Sequence, residues 1–221
     1  MTGHVKARRP YDSTRRREQA AQTRRDILAA AGTLFRYRGY AVSMPEIAGE
    51  AGVVVETVYR TFGSKAGLFR AVVEALLAGG AARAERPVEE RDVIRALIEE
   101  PDPVRQVAMY AATQPGIHRR AGPILRALRD AKAGDPELAQ LWAEMEAWRY
   151  EGQGRLVEML AGRGVLRPDR PVDEAKDVLW TLCSLAVYDQ LVNDRAWHED
   201  RYEAWLTEVL TRELLALSEA A

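Results

Sequence analysis

Glu56, Thr57, Tyr59 and Arg60 bring a carboxylate, a hydroxyl, a phenol and a guanidinium into one short span. On a helix that turns Val58 and Phe62 inward, Glu56, Thr57 and Arg60 project outward and Tyr59 stands at the edge. Thr57, Glu56 and Arg60 suit the donors and acceptors of base edges, and Tyr59 suits a phosphate oxygen. Lys65 follows Ser64, a helix-capping residue, so its ammonium stands beside unpaired backbone N–H groups, a surface ready for phosphate. Competing chemistry has little to stand on. His4, His118 and His198 are scattered, none has a second ligand at metal-site spacing, and each reads as a surface residue. There is no nucleophile elbow, paired-carboxylate motif or glycine-rich phosphate loop; Gly162-Arg163-Gly164 follows a helix instead of opening one. No cofactor or metal is expected.

The elements that must position these groups run from Ser43 to Phe69. Ser43 caps a helix with Pro45 in its first turn and Glu46 reaching back to the cap nitrogen, a capping box. Ile47, Ala48 and Ala51 share one face, Gly52 supplies the left-handed residue that ends the helix, and a second helix runs from about Val55 to Gly63. Ser64 opens a third. Two short helices around a glycine turn also make an ordinary corner in any all-helical protein. The polar outer face of the second helix and the basic segment upstream favour duplex DNA.

The stretch from Thr23 to Phe69 resembles the DNA-binding head of the tetracycline-repressor (TetR) family. Ile27, Ala30, Ala31, Phe35, Gly39 and Tyr40, then Ile47, Ala48, Ala51 and Gly52, then Thr57, Tyr59 and Phe62, then Lys65 and Leu68 carry the likeness in order and without gaps. One departure is Val54, where the family usually has a serine, so the recognition helix lacks its usual side-chain cap. The run Val53-Val54-Val55 costs a few tenths of a kcal/mol per residue in helix propensity, roughly, which packing must offset unless the apolar surface meets thymine methyl groups. Core packing is expected for Val53; Val54 and Val55 stay open between the two roles. The DNA-facing set is therefore Arg24, Arg25, Ser43, Val54, Val55, Glu56, Thr57, Tyr59, Arg60 and Lys65, with Arg24 and Arg25 touching the backbone.

A chain of 221 residues with 47% hydrophobic content holds a real core. Its net charge of −1 hides an asymmetry: residues 1–75 carry 13 Lys and Arg against 7 Asp and Glu, the remainder 19 against 26. A basic head on an acidic body suits one face that meets a polyanion and another that does not. The single cysteine, Cys183, excludes an internal disulfide, reads as a small core residue, and fits a reducing cytoplasm, with nucleoid association when DNA is bound. The first residues are basic without an apolar run, so no signal peptide or membrane partner is expected.

Taken in order, residues 1–17 read as a disordered basic arm whose arginines can reach a minor groove, 18–63 as the helix-turn-helix head, 64–80 as a connecting helix, and 81–221 as a ligand-binding and dimerisation body. The first helix covers about Glu18 to Tyr37, buried through Ile27, Ala31, Leu34 and Phe35. In the body, helices are expected near Val88 to Glu99, Pro103 to Thr113, Ile117 to Lys132, Pro136 to Leu160, Pro171 to Val192 and Glu199 to Ser218, with Pro115-Gly116 as a break and no strand pattern anywhere. The fold class is all-α, about ten helices, a layout similar to that of TetR-family proteins. Pro171 to Leu206 resembles the carboxy-terminal part of many TetR-like regulators. That likeness implies that the helices from Pro136 and Pro171 pair across a two-fold axis in a homodimer.

Tyr110, Trp142, Met145, Trp148, Trp180 and Tyr188 lie on segments that should converge inside the bundle. At helical spacing such residues are usually core. The family resemblance implies an apolar cavity for a small-molecule effector, which these six would line, with Arg119, Arg120, Gln190 and Asn193 as candidate polar ends. The leading reading is a homodimeric repressor released from palindromic operator DNA by a largely apolar ligand. A constitutive or activating DNA binder of the same fold is the alternative, and a small helical enzyme the remote one.

Overall fold

Local capping chemistry builds the amino-terminal part. In the computed structural model, which describes residues 13–216, α1 (Ser13–Arg38) ends in a 3-10 turn at Gly39–Ala41, followed by α2 (Met44–Glu50), α3 (Val55–Phe62) and α4 (Lys65–Ala78). The Ser43 side chain accepts from the Glu46 amide while the Glu46 carboxylate accepts from the Ser43 amide at 2.8 Å, closing both halves of the capping box. Gly52 and Gly63 turn the chain at φ +66° and +75°, values an L side chain adopts at a cost. The Ser64 hydroxyl caps α4, and Gly79 ends it in the left-handed region.

The reading placed residues 1–17 in an arm; 13–17 instead belong to α1, because nothing between Ser13 and Arg17 breaks the helix. Arm residues 1–12, His4 among them, and the expected last turn at Ser218 lie outside the described residues.

Beyond Gly80 come α5 (Ala81–Ala84), α6 (Asp92–Glu99), α7 (Pro103–Ala131), α8 (Pro136–Gly162), α9 (Val172–Leu182), α10 (Leu185–Tyr188), a π-helical turn at Asp189–Asp194, and α11 (Glu199–Leu214). Asp102 and Asp135 cap the two long helices through their carboxylates, each with proline in the first turn. Two boundaries differ from expectation. Pro115-Gly116 does not break the chain: α7 is one helix with Pro115 and Pro123 inside it. Proline there forfeits a backbone hydrogen bond, but Ala111, Gln114, Pro115 and His118 are all buried, and that packing overrides the local penalty. Conversely, the helix expected from Pro171 to Val192 stops at Leu182. Ser184 adopts an extended backbone, its hydroxyl accepts from the Val187 amide at 3.2 Å, and a new helix starts there.

Two apolar cores organise the described residues. The first joins Ile27, Phe35, Ile47, Val58, Leu68, Phe69 and Val72 to Ile124, Leu128, Leu138, Leu141 and Met145 of α7 and α8. The second joins Val107 and Ala111 of α7 and Leu156, Val157 and Leu160 of α8 to Leu179, Cys183, Tyr188, Tyr202, Leu206 and Leu210. An isolated antiparallel bridge, Leu166 with Leu215, ties the α8–α9 link to the end of α11. Among the described residues no helix is long and apolar enough to cross a membrane.

Candidate functional site

α2 packs on α1, and α3 on α2 and α4, with Ile47, Ala48 and Val58 all inside the first core, and this fixes which side of α3 faces out. Glu56 and Arg60 are exposed, Thr57 is half-buried, and Tyr59 is 49% exposed. The Thr61 hydroxyl donates to the Thr57 carbonyl at 2.7 Å. The valine run divides: Val53 and Val55 pack against the core, whereas Val54, the N-cap of α3 without a side-chain cap bond, is 66% exposed. An exposed branched methyl pair at that place is apolar surface of the kind a thymine methyl can cover.

The flanking cations are arranged by neighbours. The Lys65 ammonium lies 4.3 Å from the Tyr40 ring centroid, and partial burial lowers its pKa against the pull of Glu46 and Asp135. The Arg24 guanidinium stacks on Phe62 at 4.7 Å. Arg25 is held by Gln22 at 2.9 Å and by Glu85, the residue just after α5, at 3.3 Å, so its charge is partly spent inside the protein. Ser43 is committed to the capping box, whose carboxylate also pairs with Arg38 at 2.7 Å. Hydrogen bonds from the Ser43 hydroxyl, first, then from its amide and from Arg38, hold the Glu46 carboxyl down at about 2.

Gly67 is a structural position at the α3–α4 corner that the sequence alone does not reveal. A Cβ there would overlap the Phe62 carbonyl oxygen, so only glycine lets α4 start so close under the end of α3. The overlapped atom is backbone and cannot rotate away. Gly67→Ala is expected to cost about 1–3 kcal/mol and to swing α3 off its seat, measurable as a lower melting temperature together with weaker duplex binding. Unchanged values of both would show that the turn yields freely.

The six body candidates, five aromatics and Met145, do not share one place. Trp142 and Met145 belong to the first core, where Lys132 stacks on Trp142 at 4.6 Å, while Tyr110 and Tyr188 belong to the second. Trp180 packs outside both, under Arg149 at 4.6 Å and against Tyr150 at 6.5 Å. Trp148 is 45% exposed, against the expected convergence, because α8 turns that face to solvent. Among the polar candidates Arg119 pairs with Glu199, Arg120 donates to the Leu76 carbonyl at 2.8 Å, Asn193 donates to Asp189 at 2.8 Å, and Gln190 is exposed. His118, read as a surface residue, is only 5% exposed because α7 runs unbroken past Pro115 and turns the imidazole between α10 and α11. His198 is exposed as expected and caps α11.

Residues 27–72 match the family described as bacterial regulatory proteins, tetR family. Among solved structures, a protein from a Rhodococcus species described as a TetR-family transcriptional regulator superposes with a TM-score of 0.63 at 15% identity, over 86% of this chain and 98% of that one. A protein from Saccharomonospora viridis described as a transcriptional regulator, in complex with choline, gives 0.61 at 20% identity over 89% and 100%. The transcriptional regulator FadR from Bacillus subtilis, in complex with stearoyl-CoA, gives 0.62 at 17% identity over 84% and 96%. No curated protein matches the chain. At these identities the structures speak for the fold, and the matched head speaks for the family. Residues 27–72 thus match the tetR family of bacterial regulatory proteins, and the chain as a whole has the fold of these solved structures.

Proposed function

We propose that this regulator acts as a homodimeric repressor, reads a palindromic operator through α3 of each subunit, and leaves it when a small molecule binds the body. The observation that carries the reading is the single helix α4, whose first turn packs under α3 and whose last carbonyls, Leu76 and Leu77, accept hydrogen bonds from Arg120 of α7. A displacement of α7 therefore pulls on the head through one rigid element. Two heads on a two-fold axis must hold their recognition helices roughly 34 to 36 Å apart to enter successive major grooves, and a tilt of α4 changes that distance. The head is assigned to residues 18–63, the connector to 64–80 and the body to 81–221. Tyr59 and Lys65 take phosphates; Glu56, Thr57 and Arg60 face base edges; Val54 supplies apolar contact. The solved structures in complex with choline and with stearoyl-CoA are of proteins with this fold, which supports a small-molecule ligand here.

The test is reciprocity. A ligand that weakens the operator by some factor must itself be weakened by operator DNA to the same factor, measured by titrating it into free and DNA-bound protein. Equal affinities in the two titrations would leave a constitutive binder. The phosphate assignment has its own check: Lys65→Ala should weaken all duplexes alike and reduce the salt slope by about one. A loss confined to one operator position would contradict it.

A further inference from the structure

Three aromatic residues from three elements meet in the second core: His118 from α7, Tyr188 from α10 and Tyr202 from α11. The His118 ring lies 4.7 Å from Tyr188 and 6.5 Å from Tyr202, and the two tyrosines are 5.2 Å apart. Tyr188 donates to Glu199 at 2.8 Å. The other two are orphans: neither ring nitrogen of His118 has a hydrogen-bond partner, nor does the hydroxyl of the fully buried Tyr202. The Cys183 backbone lies near enough to His118 to favour its protonated form slightly, but outside hydrogen-bond geometry. Buried polar groups left without partners cost stability and persist where something else uses them.

The segment above this cluster is the least regular part of the body. Helicity ends at Cys183, restarts for one turn in α10, widens into the π-helical turn Asp189–Asp194, and leaves it through Ala196 at φ +53°, a strained value for a residue with a Cβ. π-Turns recur at functional sites. Buried Leu185 and Tyr188 hold the start of this segment to α7, Tyr188 by its ring on His118; from Asp189 onward the tie to α7 is polar and partly exposed, Asp189 pairing with Arg126 at 2.7 Å and with Arg129 at 3.2 Å. Water can replace such a latch far more readily than it can enter the core below.

We propose that Asp189–Trp197 is a lid and that His118, Tyr188 and Tyr202 form the floor of a binding site for a neutral small molecule carrying a hydrogen-bonding group. This assignment rests on the ligand-released reading above and names the site and the chemistry. Neutrality follows from the charges around it. Arg119 is paired with Glu199, Arg126 with Asp189, and Arg149 with Glu146, so neither an anion nor a cation finds a free counter-charge. Burial, first, and then Arg149 and Arg126 against the opposing pull of Asp189, bring His118 down to about 4. Its imidazole is therefore neutral at pH 7 and offers one donor and one acceptor, while the Tyr202 hydroxyl can do either.

Cys183, the single cysteine, is buried in the second core with Tyr188 and Tyr202, beneath the lid, and its labelling by a disulfide reagent reports opening in the full-length protein. The probes are phenol, benzoate and benzylamine, alike in size and different in charge. Phenol should slow the labelling, roughly tenfold at ten times its Kd, while the two ions leave it nearly unchanged. Asp189→Asn should speed labelling without phenol. The pair His118→Phe with Tyr202→Phe should abolish phenol protection while raising the melting temperature, since two orphaned groups are removed. Labelling that tracks global unfolding in both the parent and Asp189→Asn would overturn the lid. Absence of phenol protection, equal protection by all three probes, or protection that survives in the double variant would overturn the site. If phenol protects but leaves operator affinity unchanged, the site stands and the ligand-released reading falls. If some compound releases operator equally from parent and double variant, that reading stands and this site falls.

Discussion

A glutamate at Val178, or at Val209 beside it, is expected to turn the protein into a folded monomer and to weaken a palindromic operator by about a hundredfold to ten-thousandfold, the gain that two linked heads supply. Val178 and Leu182 of α9 and Val209 of α11 line a shallow groove of about 360 Å³ on the outer face of the body, rimmed by Glu174, Asp177 and Glu213. Of that rim both Glu213 and Glu174 pair with Arg170, at 2.8 Å and 3.6 Å, and Asp177 stands beside the apolar floor. If this face meets its own copy across a two-fold axis, a residue near the axis meets itself. One introduced carboxylate then becomes two opposed ones, a juxtaposition that costs several kcal/mol by rough reckoning. The substituted positions are partly exposed in a single chain, so the fold should survive, visible as unchanged far-UV dichroism. Sedimentation velocity and duplex titration read the result. A variant that remains dimeric would move the interface off α9 and α11. Deleting everything after Pro171 is the weaker experiment, because Leu179, Tyr202, Leu206 and Leu210 are core and the remnant would lose more than a partner.

What could be read in advance was whatever depends on neighbours in sequence. Ser43 with Glu46, Gly52, Gly63, Ser64 and Gly79 are start and stop signals that act within four residues, and each stands where its chemistry requires. The outward set on α3 followed from the same periodicity. Properties decided by packing at a distance were not legible. Nothing local says that Pro115 is carried inside α7 or that Ser184 restarts a helix, and the burial of His118 depends on the first of these. The body aromatics illustrate the limit. Helical spacing shows that Trp142 and Trp148 lie on one helix, but whether each faces a neighbour or water depends on where α8 crosses α4 and α9. Two signals were available and unused: an i, i+4 pairing of Gln114 with His118 on a face that also carries Ala111, and the spacing of Tyr202 with Leu206 and Leu210.

Phe35→Ala should cost about 3–5 kcal/mol and take DNA binding with it. Phe35 is fully buried on α1, its ring edge-on to Phe69 at 5.0 Å and stacked beside Tyr40 at 6.0 Å, and Tyr40 meets Phe69 at 5.4 Å. These three rings come from α1, the 3-10 turn and α4, and they are what closes the head on its connecting helix. Removing one leaves a void that no nearby flexible chain fills, since Ile27, Ile47 and Leu68 around it are themselves fully buried. Typical domain stabilities are only about 5–15 kcal/mol, so a loss of this size on a small head approaches its whole margin. The second core shares no residue with the first and should keep its own transition. Calorimetry is therefore expected to show the unfolding of Phe35→Ala split, with the earlier step reported by Trp142 in the first core and the later one by Trp205 in the second. Phe35→Leu keeps most of the volume and should cost about 1 kcal/mol, retaining a single transition and duplex binding. A single, modestly shifted transition in Phe35→Ala with duplex affinity intact would mean that the two cores unfold as one and that the head borrows its stability from the body.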